Sequence, residues 1–296
     1  MTRRLEGKPV AEAMDAETRA AIARAGPGAS PPSLVSVHRD TDSPFRFYLR
    51  RQGKGAAAVG VRFREEPLVP TDGPPELLER LRRLDADPDV HAILLEHPLP
   101  APFDFYAAIS AVRPEKDVDG VGPANLGRLV AQRPVHVPAV ALAAVAVARH
   151  YEAPIEGEPV AVVGRSETVG LPLALLLSSR APGMNASVTL AHSRVHDLAK
   201  VLRNARTIFS CVGRPNLLNR TNVPEGAYLI DVGTSTVPDP TKTSGSRSVG
   251  DADAAALDGW AAGLSPVPGG VGPVTVSELM ASTVRAWRLG SEGGAA

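Results

Sequence analysis

The sequence lacks the residues from which several common kinds of site are built. It contains a single cysteine, Cys211, so no disulfide can form within the chain. Neither a CxxC nor an HExxH spacing occurs, which removes the usual sequence signatures of a zinc site. We therefore expect no metal centre.

The sequence also lacks an excess of charge of either sign and any long apolar run. Its 32 basic residues are balanced by 32 acidic ones, which argues against broad attraction to nucleic acid or to an anionic membrane. No apolar stretch is long enough to span a membrane, and residues 1–14 lack the apolar run of a secretory signal. We expect a cytoplasmic protein without nucleic-acid or membrane partners.

The composition is that of an ordinary globular protein, with 44% hydrophobic and 22% charged residues in 296. This length allows two domains. In the first 120 residues helical and strand patterns alternate, which is typical of a parallel sheet covered by helices. The predicted helices are 9–25, 74–88 and 103–114, and the predicted strands are 33–40, 57–65 and 90–100.

A second group of strands follows a turn-rich loop at 116–129 and an alanine-rich helix at 137–153. Each strand of this group ends in a small or polar residue, which is the rhythm of a doubly wound nucleotide-binding domain. The predicted fold class is therefore α/β. The strands of this group are expected within 158–166, 187–193, 205–215 and 227–234.

The segment VAVVGRSETVGLPLALLL contains a candidate phosphate-binding turn. Gly164 follows an apolar strand and Gly170 opens an apolar helix, so the backbone could approach a phosphate at a helix N-terminus. The spacing is Gly-x5-Gly rather than GxGxxG, and a simple tight turn explains it about as well. The guanidinium of Arg165 and the hydroxyl of Ser166 favour the phosphate.

The ends of the later strands carry further candidates. Arg194, next to Ser193, stands where such a domain contacts the 2′ position of the ribose. An arginine there suits the 2′-phosphate of NADP, but a solvated surface charge explains it about as well. Gly213 and Thr234 follow two more strands and should face the same ligand. Cys211 resembles a small buried apolar residue more than a nucleophile, since no basic partner is apparent.

Three other segments are unusual. PVPGGVGPVT (266–275) has three glycines and three prolines within 266–273, which indicates a loop of fixed shape running into a helix. KDVDG contains Asp117 and Asp119, which could act as acid–base groups, bind an amino-substituted ring or cap a turn; the turn is favoured by chemistry alone. FRFYLRRQGKG (45–55) places Lys54, one of five lysines against 27 arginines, between two glycines.

Four segments resemble one family: GRSETVGLP, KDVDGVGPANLGRL, LLEHPLP and SPVPGGVGPVTVSELM. They are similar to the bifunctional methylenetetrahydrofolate dehydrogenase/methenyltetrahydrofolate cyclohydrolase family, in the expected order and as far as about Trp287. The resemblance implies a homodimer of two-lobed α/β chains, with folate in a cleft between a catalytic lobe and a Rossmann-like NADP lobe. It places the catalytic lobe at 1–138 and 275–296 and the NADP lobe at 139–274.

The resemblance also implies roles for individual residues. Tyr48 matches a tyrosine that stacks on the folate, and Asp119 matches the carboxylate that holds the pterin ring. Pro268, Gly269 and Gly270 match a loop that closes over the substrate. The cofactor contacts implied are Gly164, Arg165, Ser166, Val169, Gly170, Ser193, Arg194, Cys211, Gly213 and Thr234.

The chain departs from this family at the catalytic positions. The family's tyrosine is followed one helical turn later by a catalytic lysine, and here that position is Gln52. The glutamine that contacts this lysine is here Glu96. The catalytic set implied is therefore Tyr48, Gln52, Glu96 and Asp119. A Pro-Cys-Thr-Pro segment of the family is here Pro138–Ala141.

These departures bear unequally on the two family activities. Hydride transfer from 5,10-methylenetetrahydrofolate to NADP⁺ depends mainly on alignment, whereas hydrolysis of the methenyl product to 10-formyltetrahydrofolate needs protons moved. We expect the dehydrogenase, with weak or absent cyclohydrolase. Glu96 acting as the acid–base group, or Lys54 swinging in, would restore hydrolysis. The alternatives are a paralogue acting on a modified folate or other one-carbon adduct, and a folate- or NADP-binding protein without turnover.

Overall fold

The computed structural model describes residues 1–26, 28–39, 43–69, 71–242 and 245–293. The strands are β1 (Arg3–Arg4), β2 (Ser33–Arg39), β3 (Arg62–Leu68), β4 (Ala92–Leu95), β5 (Pro159–Val163), β6 (Ser187–Ala191), β7 (Thr207–Ser210), β8 (Tyr228–Asp231), β9 (Ser235–Pro238), β10 (Ser246–Val249) and β11 (Gly263–Leu264). The helices are α1 (Gly7–Ala23), α2 (Ser43–Val59), α3 (Pro74–Ala86), α4 (Phe105–Ile109), α5 (Pro123–Val130), α6 (Ala139–His150), α7 (Gly170–Leu177), α8 (Leu198–Leu202), α9 (Ala254–Leu257) and α10 (Val271–Gly293).

The chain divides into two compact units, each built on its own parallel sheet. The three-stranded unit comprises Glu12–Ala139 and Val276–Ala296, and the six-stranded unit comprises Met1–Ala11 and Val140–Thr275. Helix-covered parallel sheets in both units confirm the predicted α/β class. Among the described residues, no helix combines the length and the apolarity needed to cross a membrane.

In the three-stranded unit the strand order is β3-β2-β4, with all strands parallel. Central strand β2 is buried from Ser33 to His38, as expected for a strand covered on both faces. From α10, Leu279, Met280 and Trp287 pack in the same buried cluster as Leu34 of β2. This packing leaves the carboxyl ends of β2 and β4 to carry polar side chains.

The predicted strand at 57–65 is wrong in its first half. Residues 57–59 instead end α2, and β3 begins only at Arg62. Alanines at 56–58 favour helix, and Gly60, at φ +86°, ends it in the left-handed conformation that suits a helix C-terminus. The whole of FRFYLRRQGKG therefore lies on one helix.

The predicted loop at 116–129 also needs correction, because its second half is helix α5. Pro123 occupies the first turn of α5, where a missing backbone N–H does no harm. Asp117 accepts hydrogen bonds from the backbone N–H groups of Gly120 and Gly122, at 3.1 and 2.9 Å. The turn that was favoured for Asp117 is thus present, and it leads directly into the helix.

In the six-stranded unit the order is β1-β11-β8-β7-β5-β6, again parallel throughout. The first eleven residues belong to this unit and not, as predicted, to the unit formed by the residues that follow them. The reason is pairing at the edge of the sheet: the backbone N–H of Leu5 donates to the carbonyl of Leu264 at 3.0 Å, and Leu5 is fully buried. A separate antiparallel hairpin joins β9 and β10.

Candidate active site

Three polar side chains meet at the carboxyl end of the three-stranded sheet. Gln52 projects from α2, Glu96 directly follows β4, and Ser36 lies on β2. The Gln52 Nε2 donates to Glu96 Oε1 at 2.6 Å, and the Ser36 Oγ donates to the same oxygen at 3.1 Å. Gln52 is fully buried and Glu96 is 8% exposed, so this contact is shielded from solvent.

Tyr48 lies one turn before Gln52 on the same face of α2. Burial raises the pKa of Tyr48 above its ordinary value, and the negative charges of Glu96 and Asp119 raise it further. The phenol therefore stays protonated at neutral pH and can donate a hydrogen bond. Tyr48 is one turn from Gln52, Gln52 contacts Glu96 directly, and the charges of Glu96 and Asp119 both act on Tyr48, so the four predicted catalytic residues lie in one neighbourhood.

Glu96 is the group in this neighbourhood that titrates near neutrality. Burial raises its pKa to about 7, with Asp119 adding to the shift, while hydrogen bonds from Gln52 and Ser36 oppose it. Among the described residues, the Oε1 of Gln52 has no hydrogen-bond partner. The pair thus presents a proton-exchanging carboxyl group beside an unused amide acceptor.

The raised pKa of Glu96 gives a prediction about stability. Since a carboxyl group with a raised folded-state pKa favours the folded state when protonated, that contribution is present below about pH 4.5 and is lost as pH rises through about 7. Glu96→Gln, which keeps both accepted hydrogen bonds, should therefore be more stable than the parent at about pH 8, by up to about 3 kcal/mol, and about equal to it near pH 4. Urea unfolding at both pH values measures this difference.

A matched control for this comparison is Glu79→Gln, since Glu79 is an exposed residue of α3. It should change the free energy of unfolding little at either pH. If Glu96→Gln and the parent differ in free energy of unfolding by the same amount at both pH values, burial does not raise the pKa of Glu96 as described.

Lys54 does not belong to this cluster. It is exposed, whereas Gln52, two positions earlier on the same helix, is buried, so their side chains point to different sides of α2. The glycines around it have packing roles: a Cβ on Gly55 would lie 2.6 Å from the Val276 side chain, and one on Gly53 would lie 3.4 Å from the Phe63 ring. Both glycines sit within a continuous helix, which disfavours movement of Lys54 into the cluster.

His97, in the segment LLEHPLP, is a site residue that is absent from the set predicted from the sequence. The Nε2 of His97 is 3.7 Å from Asp119 Oδ2, and its ring meets that of Phe105 edge-on, with the centroids 5.2 Å apart. Its position could have indicated such a role, because His97 follows Glu96 at the end of a strand, where functional side chains collect in parallel sheets.

In the six-stranded unit, the Gly164–Gly170 turn brings two backbone segments into contact. Gly164, at φ +119°, directly follows β5, and a Cβ there would lie 2.5 Å from the carbonyl oxygen of Cys211. A Cβ on Gly170 would overlap with the carbonyl group of Gly164. Both positions therefore require glycine, and the backbone N–H of Gly170, at the start of α7, donates to Ser166 Oγ at 3.3 Å.

The other predicted cofactor residues follow neighbouring strands of the same sheet. Ser193 and Arg194 come after β6, Cys211 and Gly213 after β7, and Thr234 after β8. Because β6, β5, β7 and β8 are adjacent and parallel, these residues share one edge. The side chains exposed along this edge are those of Arg165, Ser166, Ser193, Arg194 and Thr234, whereas Val169 is half-buried.

Cys211 is half-buried, and burial raises the pKa of its thiol. The charges of Asp251 and Asp231 raise it further, so the thiol stays protonated and unreactive at neutral pH. This agrees with the expectation that Cys211 is not a nucleophile.

A buried aspartate that no sequence motif marks shapes the turn after β7. Asp251 is fully buried, and its Oδ2 accepts from the Ser210 hydroxyl at 2.7 Å and from the backbone N–H of Val212 at 2.9 Å. Its Oδ1 accepts from the backbone N–H of Arg214 at 2.6 Å. These bonds hold the backbone around Gly213 in place.

The glycine–proline loop also belongs to the six-stranded unit. The Val267–Pro268 peptide bond is cis, and Gly269 has φ +111°. The Gly269 carbonyl accepts from the backbone N–H of Gly7 at 2.8 Å, and the N–H of Gly270 donates to the Pro266 carbonyl at 2.7 Å, just before α10. The loop therefore has the defined shape that its composition predicted.

Within the part of the chain that the structure describes, no three acidic, histidine or cysteine side chains are grouped to hold a metal ion.

Comparison with known proteins agrees with this arrangement. Residues 5–119 match the family domain described as "Tetrahydrofolate dehydrogenase/cyclohydrolase, catalytic domain", and residues 138–290 match "Tetrahydrofolate dehydrogenase/cyclohydrolase, NAD(P)-binding domain". A relative from Desulfovibrio desulfuricans, named bifunctional protein FolD, is 38% identical over 96% of this chain and 98% of its own length.

Two solved structures are similar over nearly the whole chain. A 5,10-methylenetetrahydrofolate dehydrogenase from the silkworm Bombyx mori has a TM-score of 0.91 at 33% identity, covering 99% of this chain and 100% of the other. The Trypanosoma brucei methylenetetrahydrofolate dehydrogenase-cyclohydrolase, complexed with NADP and an inhibitor, has a TM-score of 0.89 at 34% identity, covering 97% and 98%. The resemblance seen in the motifs is thereby confirmed, and the chain belongs to the tetrahydrofolate dehydrogenase/cyclohydrolase family.

Proposed function

We propose that this chain oxidises 5,10-methylenetetrahydrofolate to 5,10-methenyltetrahydrofolate with NADP⁺ in one-carbon metabolism. The observation that supports a redox reaction with NADP⁺ is the Gly164–Gly170 turn, where two backbone segments touch and only glycine fits. That geometry suits the close approach of a dinucleotide phosphate at the start of α7. A folate-binding protein without turnover would have no use for such a turn.

The residues available to NADP fit its chemistry. The Gly164–Gly170 turn with the exposed guanidinium of Arg165 would hold the diphosphate, and the exposed guanidinium of Arg194 would bind the 2′-phosphate. When bound, NADP⁺ supplies the acceptor for the hydride. The protein's contribution to this step is alignment of the donor carbon with that acceptor, which requires no proton transfer from Gln52 or Glu96.

The folate would be held by Asp119 and Tyr48. A carboxylate can accept the paired N–H donors of a 2-amino-pyrimidinone edge, and Asp119 is partly accessible, with 16% of its side chain exposed. The neutral Tyr48 phenol offers a flat ring face and a hydrogen-bond donor beside it.

We propose further that hydrolysis of the methenyl product is weak. The Desulfovibrio desulfuricans relative carries the name bifunctional, but in this chain an amide occupies the position that matches the catalytic lysine of the family. An amide cannot take up or release a proton at neutral pH, and general acid–base catalysis typically contributes about 10²–10⁴-fold. The buried hydrogen bond from Gln52 to Glu96 further limits the freedom of both groups.

A second possibility is hydrolysis through Glu96, and its pKa of about 7 is the observation that favours it. The carboxylate would take a proton from water as the water oxygen bonds to the methenyl carbon. Such hydrolysis would increase as pH rises through about 7, after subtraction of the buffer reaction, and would disappear in Glu96→Gln.

The redox proposal is tested by following NADPH formation from 5,10-methylenetetrahydrofolate and NADP⁺. The expected result is turnover that requires the one-carbon bridge, with tetrahydrofolate alone giving none and NAD⁺ giving less. Folate binding without NADPH formation would instead support the non-catalytic alternative, and turnover only with another adduct would support the specialised paralogue.

We also propose that the chain forms a homodimer, on the basis of family resemblance alone. Light scattering at the concentration used in the assays tests this proposal.

A further inference from the structure

His97 lies where it can influence the carboxylate proposed to hold the folate. It directly follows Glu96 and precedes Pro98 in a cis peptide bond, and its ring is set against Phe105. Its Nε2 lies 3.7 Å from Asp119 Oδ2, which is an ion-pair distance longer than a hydrogen bond. The side chains are 35% and 16% exposed, so both can meet a ligand.

The orientation of Asp119 matters because the proposed contact is bidentate. A pterin edge with two N–H donors needs both carboxylate oxygens in one plane, facing the ring. A cation beside Oδ2 restricts rotation of the carboxylate and partly neutralises its charge before the ligand arrives. The edge-on contact with Phe105 restricts the imidazole ring of His97. Phe105 thus limits the movement of His97, and His97 limits the rotation of the Asp119 carboxylate.

We propose that His97 is a positioning residue for Asp119, and that its protonated ring holds the carboxylate in the orientation that binds the pterin edge. This inference rests on the proposed function, since it takes Asp119 to be the folate carboxylate. The affinity for folate would then depend on pH through the protonation of His97, a residue that need not touch the reacting atoms.

The direction of the pH dependence follows from the charges around the ring. The interaction with Asp119 raises the pKa of His97 above its ordinary value, Glu96 adds to this effect, and burial opposes it. The positioning contact is therefore present at mildly acidic pH and is lost as pH rises through the raised pKa. Asp119 and Glu96 are the charged groups that act on His97, and Phe105, which packs against it from α4, is uncharged.

Glu96 titrates in the same range, so its effect must be separated from that of His97. Ionisation of Glu96 adds negative charge next to His97 and favours the imidazolium form. Glu96→Gln should consequently move the pH dependence of folate affinity to lower pH without abolishing it. His97→Gln should abolish it.

The test is the dissociation constant of tetrahydrofolate, measured by calorimetric titration from about pH 6 to pH 9, a range that brackets ordinary and raised imidazole pKa values. For the parent we expect affinity to weaken about two- to fivefold over this range, as for a partly exposed ion pair. His97→Gln should be flat, near the alkaline value of the parent. His150→Gln, at an exposed histidine at the end of α6, is the control and should keep the parental profile.

The same variants are then assayed for turnover. His97→Gln should change KM for 5,10-methylenetetrahydrofolate while leaving KM for NADP⁺ unchanged. A parental pH profile in His97→Gln, with tetrahydrofolate binding intact, would overturn the role of His97 alone. Failure of the parent to bind tetrahydrofolate at any pH would overturn the proposed function together with this inference.

Discussion

Replacing Gln52 with lysine and Glu96 with glutamine in the same chain is expected to increase catalysed hydrolysis of 5,10-methenyltetrahydrofolate by about 10²–10⁴-fold. The Gln52 amide is fully buried and 2.6 Å from Glu96, so a lysine amine at this position would reach the same neighbourhood. Glutamine at 96 would leave that amine without a carboxylate to hold it protonated. A buried lysine of this kind can exchange protons near neutral pH.

The single variants should rank below the double variant. In Gln52→Lys the new ammonium would pair with ionised Glu96. This pairing raises the pKa of the lysine and leaves less of it unprotonated at neutral pH, so a smaller gain is expected. Glu96→Gln alone should bring no gain. NADPH formation should change much less than hydrolysis in all three, because hydride transfer does not use these protons.

Lys54→Gln is the matched control, because it replaces the exposed lysine of the same helix. It should leave both reactions unchanged, and the buffer rate of methenyl hydrolysis must be subtracted throughout. A double variant that hydrolyses no faster than the parent would show that the residue at position 52 does not limit hydrolysis. Loss of hydrolysis in Lys54→Gln would return that role to Lys54.

Gly170→Ala is expected to raise KM for NADP⁺ by about 100-fold, the size of effect that a displacement of about 1 Å can have on an aligned site. The added methyl group would overlap with the carbonyl group of Gly164, so the turn must open. Backbone atoms cannot yield as a flexible side chain would. Tetrahydrofolate binding through Tyr48 and Asp119, which lie in the three-stranded unit, should change little and shows that the variant is folded.

Gly127→Ala is a suitable control, because Gly127 is also helical and a Cβ there would have no atom within 4 Å. Alanine at a helical position of this kind is expected to be neutral or slightly stabilising. Unchanged NADP⁺ affinity in Gly170→Ala would mean that the cofactor does not approach this turn.

Local pattern was sufficient to predict much of the fold. The apolar run of β5 and the helical spacing of α3 each encode burial within a few residues, and alternation of such segments predicts parallel sheets. The close backbone approach at Gly164 and Gly170 is equally predictable, because glycines at a strand end and a helix start reflect a local steric need. Gln52 and Glu96, in contrast, were linked only through resemblance to a family.

What the sequence could not give are contacts between distant segments. Strand β1 pairs with β11 near the other end of the chain, and no local pattern specifies that partner. The Asp251 carboxylate reaches donors 37 to 41 residues away, and His97 meets Asp119 only because their two loops follow neighbouring segments of one sheet. The end of α2 was misplaced for another reason, since Val59, Val61 and Phe63 alternate as in a strand and extended that pattern backwards over the alanines.

One reaction tests our proposal that oxidation is retained while hydrolysis is weak. The chain is mixed with 5,10-methylenetetrahydrofolate and NADP⁺, and the amounts of NADPH and methenyl product are followed together. We predict that methenyl product accumulates nearly one-for-one with NADPH and then decays at the rate of the buffer alone. NADPH formation with enzyme-dependent, rapid loss of the methenyl product would contradict the claim.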